Sequence, residues 1–139
     1  MLRSCCGAAP VEISRRCGTV RKTVLIAEDN DVTRQGLAVL LCEAGYSVEM
    51  SANGRAALES LRGGFRPDLI LLDMMMPEMD GWTFMHERLT DQSIADIPVV
   101  IITSIGVASQ DWAMSLGAVG LIRKPIETED LLDEVAARC

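Results

Sequence analysis

The sequence has a single histidine, few aromatic residues and no long hydrophobic run. Its longest uninterrupted apolar stretch, residues 37–42, has six residues, whereas a membrane-spanning helix needs about 20. The only histidine, His86, is predicted on the surface of a helix, where no nucleophile and base can be paired around it. The sequence therefore argues against a membrane-spanning protein and against a histidine-activated nucleophile.

Basic residues are also scarce and are unevenly distributed. The chain has 13 lysines and arginines against 20 aspartates and glutamates, a net charge of −7, which argues against direct nucleic-acid binding. Residues 1–22 nevertheless have a net charge of +4, whereas residues 23–139 have a net charge of −11. The first segment lacks the apolar core of a secretory signal. We expect residues 1–22 to be an uncleaved, disordered tail and residues 23–139 to form one domain.

The cysteines show no disulfide framework. There are five, an odd number, and three of them lie in the tail: Cys5, Cys6 and Cys17. This pattern predicts free thiols in a reducing cytoplasm. A three-thiolate metal site in the tail is a weaker alternative, because adjacent cysteines are poor chelators.

From residue 23 onward, short β-branched or leucine-rich runs alternate with segments of helical periodicity. This alternation is typical of βα units around a parallel sheet, and 49% apolar residues can fill its core. The predicted strands are residues 23–28, 46–50, 68–73, 98–103 and 119–123. The predicted helices begin near residues 30, 56, 81, 107 and 127. We predict an α/β fold with a doubly wound, five-stranded parallel sheet of order 2-1-3-4-5.

Four of the five predicted strands end in a polar group. Glu28 and Asp29 follow the first strand, Asp73 ends the third, Thr103 ends the fourth and Lys124 follows the fifth. In this topology, ligands bind outside the carboxyl ends of the strands where the winding reverses, so we expect these groups to converge. Three neighbouring carboxylates favour a divalent cation, and an incomplete all-oxygen ligand set suits Mg²⁺.

Five short motifs in this order resemble the receiver domain of two-component response regulators, a flavodoxin-like (βα)5 fold. They are Ala27-Glu-Asp-Asn-Asp31, Leu72-Asp-Met-Met-Met-Pro-Glu-Met-Asp-Gly81, Thr103-Ser104, Gly117-Ala-Val-Gly120 and Lys124-Pro125. Each motif alone is unspecific, but five of them in this order are hard to obtain by accident, and the resemblance covers residues 23–139. The resemblance implies a cis peptide bond between Lys124 and Pro125.

The resemblance also implies a role for each site residue. Asp73 would accept a phosphoryl group from a histidine kinase or a histidine phosphotransfer protein. Asp29, Asp73 and the backbone carbonyl of Met75 would bind Mg²⁺, and Glu28 would hold a metal-bound water. Thr103 and Lys124 would contact the phosphoryl oxygens, which need their charge neutralised.

The sequence departs from the family at three positions. Leu121 stands where many members have an aromatic residue that turns inward on activation, and we expect Leu121 to pack or to contact a partner. Met75 and Ile105 occupy two positions that tune hydrolysis in the family. Because neither side chain can orient a water molecule, the sequence predicts slow self-dephosphorylation.

Several apolar residues near these motifs allow more than one interpretation. The methionines Met74, Met75, Met76 and Met79 could suggest a copper site, but core packing is favoured. Trp82 is predicted in the core together with Met85 and Leu89, whereas for Trp112 core packing and an exposed partner surface are equally compatible with the sequence.

The sequence thus predicts a stand-alone cytoplasmic response regulator that is not an enzyme beyond self-phosphorylation and self-dephosphorylation. With no effector domain expected after Cys139, it would signal through a protein partner on the fourth helix (107–116), fifth strand (119–123) and fifth helix (127–138), the α4-β5-α5 face. We expect a monomer or weak dimer that binds neither nucleic acid nor membrane. An aspartyl-phosphate phosphohydrolase and a non-phosphorylated pseudo-receiver interaction module stay as alternatives.

Overall fold

The computed structural model describes residues 3–4 and 21–139. Its five parallel strands, β1 to β5, are Thr23–Ala27, Ser47–Ser51, Leu69–Asp73, Val99–Thr103 and Gly120–Arg123. Its five helices, α1 to α5, are Asp31–Glu43, Gly54–Arg62, Gly81–Leu89, Gln110–Ser115 and Thr128–Arg138. Within the described residues, no helix has the length and apolar character needed to cross a membrane.

The parallel strands lie in the order β2-β1-β3-β4-β5, which confirms the predicted doubly wound topology. A two-residue edge strand, Arg3–Ser4, adds an antiparallel pairing to β2 through Met50 and Glu49 that the sequence did not predict. Every residue of β3 and β4 is buried, as expected for central strands covered on both faces.

Helices cover both faces of the sheet and divide the core into two layers. On one face, α1 and α5 contribute Leu37, Leu41, Leu131 and Val135. On the other face, α2, α3 and α4 pack Leu58, Leu61, Phe84, Met85 and Ala113 against the sheet. This packing holds the strands in register and leaves their carboxyl ends free to form a site.

Polar side chains determine where four helices begin. Asn30, Asn53, Asp80 and Ser109 each accept a hydrogen bond from an amide in the first turn of the following helix. Helix α4 was predicted from residue 107 but begins at Gln110, because Ser109 caps it and the carbonyl of Ala108 accepts a hydrogen bond from Arg123.

The predicted core face of α3 is wrong in part. Met85 is buried as predicted, but Trp82 is 39% exposed and Leu89 is 53% exposed, because the helix turns Phe84 and Arg88 inward in their place. The buried guanidinium of Arg88 donates to the carbonyls of Ala95 and Ile97. These bonds tie α3 to the loop before β4.

Two other expectations need correction. Met74, Met76 and Met79 are buried as predicted, but Met75 is 60% exposed. Cys139 has a free thiol, whereas Cys42 is disulfide-bonded, so the expectation of free thiols is wrong at Cys42. Since disulfides are rare in a reducing cytoplasm, the cysteines do not support that compartment.

The predictions of a disordered tail and of a three-thiolate site fall on residues 1–22, most of which lie outside the described residues.

Candidate functional site

The carboxylates that follow β1 and β3 lie together at one edge of the sheet. Ala27 pairs with Leu72 in the β1–β3 register, so the next residues, Glu28 and Asp73, leave the sheet at the same level. One oxygen from each of Glu28, Asp29 and Asp73 lies within 4.8 Å of the others. Glu28 and Asp73 are buried, whereas Asp29 is exposed. The structure therefore brings together the three acidic residues singled out in the sequence.

Backbone contacts hold the acidic loop after β1 in place. One Nη atom of Arg34 on α1 donates to the carbonyl of Glu28 at 2.8 Å and lies 3.4 Å from that of Asp29. The amide of Asn30 donates to one carboxylate oxygen of Glu28 at 3.1 Å. The sequence analysis did not identify Arg34. Its only signal in the sequence is a basic residue in the first turn of the helix that follows Glu28 and Asp29.

Lys124 lies opposite the carboxylates. Its Nζ atom is 3.0 Å from Oε1 of Glu28 and 3.6 Å from Oδ1 of Asp73. The peptide bond between Lys124 and Pro125 is cis, as the family resemblance implies. The Lys124 ammonium thus lies close to both buried carboxylates, on the β5 side of the site.

The close charges shift the pKa values of both partners. Burial, followed by the negative charge of Glu28, raises the pKa of Asp73 from 3.8 to about 7, although Lys124 and the Met75 amide act in the opposite direction. Burial lowers the pKa of Lys124, but its interactions with Glu28 and Asp73 outweigh burial and raise that pKa above its usual value. The negative charge of Asp73 is therefore unfavourable in the metal-free site even with Lys124 beside it.

Thr103 is fully buried at the end of β4. Its hydroxyl oxygen accepts a hydrogen bond from the amide of Ile105 at 3.0 Å, and its carbonyl accepts one from the amide of Lys124 at 2.9 Å. Asp73 pairs with Ile102, one residue before Thr103, in the β3–β4 register. Thr103 is thus the next residue on the strand beside Asp73, and its hydroxyl proton is available for a further acceptor.

The loop between β3 and α3 forms the rim of the site. The amide of Met75 lies 3.5 Å from Oδ1 of Asp73, while its side chain is largely exposed. Glu78 adopts a positive φ of 66° and accepts a hydrogen bond from the side-chain amide of Asn53. This link between the loop and the start of α2 has no sequence signal, because the two residues are far apart in the chain.

The remaining candidates lie away from the carboxylates. Leu121 is half-buried against the core layer of α2, α3 and α4, and His86 is exposed on α3. Trp112 is half-buried and contacts Trp82. None of these side chains supplies a charge to the site.

The donor set fits a hard cation. All three acidic side chains offer oxygen, and the Lys124 ammonium beside them lies 3.0 Å from Oε1 of Glu28 and 3.6 Å from Oδ1 of Asp73. Such a set suits Mg²⁺, which binds through few carboxylates and retains several waters.

Comparison with known proteins identifies the family of this chain. The family model described as "Response regulator receiver domain" matches residues 24–136. The chain is 32% identical over 115 residues to the DNA-binding dual master transcriptional regulator RpaA of Synechocystis sp. This alignment covers 82% of this chain and 47% of that protein. It is 34% identical over 122 residues to the protein-glutamate methylesterase/protein-glutamine glutaminase of group 2 operon of Cereibacter sphaeroides. That alignment covers 85% of this chain and 32% of the relative. The chain thus spans less than half of either relative.

A solved structure agrees with this assignment. The chemotaxis response regulator CheY4 of Vibrio cholerae superposes with a TM-score of 0.78 at 29% identity, covering 86% of this chain and all of that one. The chain belongs to the response regulator receiver domain family.

Proposed function

We propose that this protein is a Mg²⁺-dependent phosphoacceptor whose Asp73 receives a phosphoryl group from a histidine kinase or a histidine phosphotransfer protein. One observation carries the proposal: the Asp73 carboxylate lies in a cluster of three carboxylates and 3.6 Å from the Lys124 ammonium. A nucleophile, a cation site and a fixed positive charge are thereby combined where parallel-sheet proteins bind ligands.

In the transfer step, an Asp73 carboxylate oxygen forms a bond to phosphorus while the bond from phosphorus to the donor imidazole nitrogen breaks. The imidazole leaves with the electron pair of that bond. Asp29, Asp73 and the Met75 carbonyl would hold Mg²⁺, with Glu28 binding one of its waters. Bound Mg²⁺ would neutralise charge on the carboxylates and the phosphoryl oxygens.

Lys124 and Thr103 would stabilise the product. The Lys124 ammonium, already beside Asp73, would pair with a phosphoryl oxygen of the acyl phosphate. The Thr103 hydroxyl would donate to a second oxygen and draw the loop that begins at Ser104 toward the site. Because this loop leads directly into α4, phosphorylation would alter the α4-β5-α5 face.

We further propose that the phosphorylated protein acts in the cytoplasm by contact with a downstream protein, as a monomer or weak dimer. Met75 stands two residues after Asp73, where aspartyl-phosphate phosphohydrolases typically place a second acid, and this difference favours a signalling role over a hydrolytic one. The proposed partners and compartment are those of the family to which the chain belongs.

A labelling experiment tests the proposal. The full chain is incubated with acetyl phosphate and Mg²⁺, and the intact mass is measured for the wild type, Asp73→Ala and Asp68→Asn. Asp68 immediately precedes the same strand, at the end opposite to Asp73, so its variant serves as the matched control. We expect a gain of one phosphoryl group that only Asp73→Ala loses. Sustained release of phosphate over many turnovers would instead indicate a phosphohydrolase, and no gain in the wild type would indicate a pseudo-receiver.

A further inference from the structure

A groove of about 820 Å³ lies between α4, β5 and α5. Gln110 lines it from α4, Leu121 from β5, and a series of acidic residues from α5. Glu134 packs against Gly120 so closely that a Cβ atom there would lie 2.9 Å from its carboxylate oxygen. This close approach brings α5 down onto β5 and shapes that side of the groove.

The α5 wall of the groove is acidic. Glu127, Asp130 and Asp133 recur at intervals of three residues, which places them along one side of the helix. All three are exposed, and none has an ion-pair partner in the part of the chain that the structure describes. Glu134 lies on the same wall but is paired with Arg138 at 3.2 Å. The wall therefore presents three free negative charges.

The cations that border the groove are already engaged. Arg123 donates to three carbonyls of the loop before α4, those of Ile105, Gly106 and Ala108. Lys124 faces Glu28 and Asp73. The carbonyl partners of Arg123 hold its side chain but leave its charge in place, and the three carboxylates of Glu127, Asp130 and Asp133 outnumber it, so the net charge that the groove offers is negative.

Apolar groups accompany the acidic wall. Leu121 is half-buried at the floor. Met114, one helical turn after Gln110 on α4, is 59% exposed. An occupant that satisfies both features has basic side chains on one face and apolar side chains on another.

Two nearby occupants are disfavoured by charge or position. A second copy would bring the same acidic face, and α4 itself adds Asp111 but no cation. Of the basic tail, residues 1–22, the structure describes Arg3–Ser4, which pairs with β2 at the opposite edge of the sheet from β5, and residues 21–22, which lead into β1. A basic segment of another protein is the occupant that this charge pattern fits.

We propose that the groove between α4 and α5 binds a basic amphipathic segment of a partner protein, with lysine or arginine side chains against Glu127, Asp130 and Asp133 and an apolar side chain on Leu121. The proposal rests on the proposed function in taking this face as the output surface, and it specifies the chemistry of the partner. Binding of the basic segment through these charge contacts requires neither phosphorylation nor Mg²⁺.

The test uses the full, unphosphorylated chain and a fluorescent synthetic helical peptide with lysines on one face and leucines on the other. Binding is measured by fluorescence anisotropy for the wild type, a groove variant (Glu127→Gln, Asp130→Asn and Asp133→Asn) and a control variant (Glu43→Gln, Glu59→Gln and Asp96→Asn). Both variants lose three exposed carboxylates. We expect the groove variant to bind about tenfold more weakly and the control less than twofold more weakly.

Equal binding by the wild type and the groove variant would overturn the proposal, and so would equal weakening in the two variants, which would show attraction by net charge alone. A peptide with glutamates in place of the lysines should not bind.

The groove variant is also labelled with acetyl phosphate. Normal labelling with unchanged peptide binding would refute the groove proposal while leaving the phosphoacceptor function intact, and absence of labelling in the wild type would refute that function separately.

Discussion

The indole rings of Trp82 on α3 and Trp112 on α4 meet edge to face, with 6.2 Å between their centroids and 75° between their planes. These are the two tryptophans of the chain. Trp82 lies in the helix that follows the loop after Asp73, and Trp112 lies in the helix that follows the loop after Thr103. The pair thus joins α3 to α4, the helix whose preceding loop we propose to move on phosphorylation.

The tryptophan contact should contribute directly to stability. We expect a double-mutant cycle of Trp82→Leu and Trp112→Leu to give a coupling energy of about 0.5 to 1.5 kcal/mol, because edge-to-face aromatic pairs gain this much beyond their buried area. Urea unfolding of the wild type, both single variants and the double variant measures it. Additive effects would show that the rings merely lie close together.

The buried carboxylate of Asp73 should make stability depend on pH when Mg²⁺ is removed. A pKa raised from 3.8 to about 7 means that the folded state binds the proton more tightly than the unfolded chain does. This contribution to stability is fully present below pH 3.8 and is lost as the pH rises to about 7. At pH 8 in a chelator, we therefore expect Asp73→Asn to stabilise the protein by about 1 to 4 kcal/mol.

Mg²⁺ should reduce that difference, because a bound cation offsets the repulsion between Asp73 and Glu28. Thermal unfolding at pH 8, with Mg²⁺ and with chelator, measures both effects. The control is Asp68→Asn, whose carboxylate lies at the other end of β3. A wild type as stable as Asp73→Asn in chelator would contradict the electrostatic account.

The exposed side chain of Met75 bears on the lifetime of the acyl phosphate. Since a thioether cannot orient an attacking water, we expect Met75→Asn to accelerate self-dephosphorylation about tenfold or more. The decay of the phosphorylated species is followed by intact mass. Met114→Asn provides a matched control, because Met114 is 59% exposed on α4. Equal decay in the wild type and Met75→Asn would remove the proposed cause of slow hydrolysis.

Gly81 permits a close contact between α3 and the phosphoacceptor loop. A Cβ atom at this position would lie 2.7 Å from the Cα atom of Met74 and 3.1 Å from the carbonyl oxygen of Asp73. Both are backbone atoms, so we expect Gly81→Ala to destabilise the protein by about 1 to 3 kcal/mol. Gly36→Ala, on α1 with nothing within 4 Å, should instead stabilise it by about 0.5 to 1 kcal/mol. Urea unfolding compares the two, and equal effects would contradict the packing argument.

Much of the architecture could be predicted because its causes are local in the sequence. The central strands β3 and β4 are buried on both faces and therefore appear as apolar runs. A parallel sheet then brings the residues after β1 and β3 to the same edge, so the proximity of Asp29 and Asp73 follows from topology.

Other features depend on three-dimensional contacts that sequence periodicity does not encode. Trp82 was predicted in the core because several apolar residues of α3 allow more than one helix orientation, and packing selected Phe84 instead. The hydrogen bonds that Arg34 and Arg123 donate to backbone carbonyls depend on long side chains that reach other parts of the fold. Their partners are ordinary peptide groups and leave no signature.

The position of the phosphoryl group tests the central claim most directly. After phosphorylation with acetyl phosphate and Mg²⁺, borohydride reduction converts an aspartyl phosphate to homoserine, and peptide mass spectrometry then locates the modified residue. The account predicts homoserine at position 73, and its loss when Mg²⁺ is chelated before labelling. Modification at another residue, or labelling at Asp73 that is unaffected by chelation, would contradict the account.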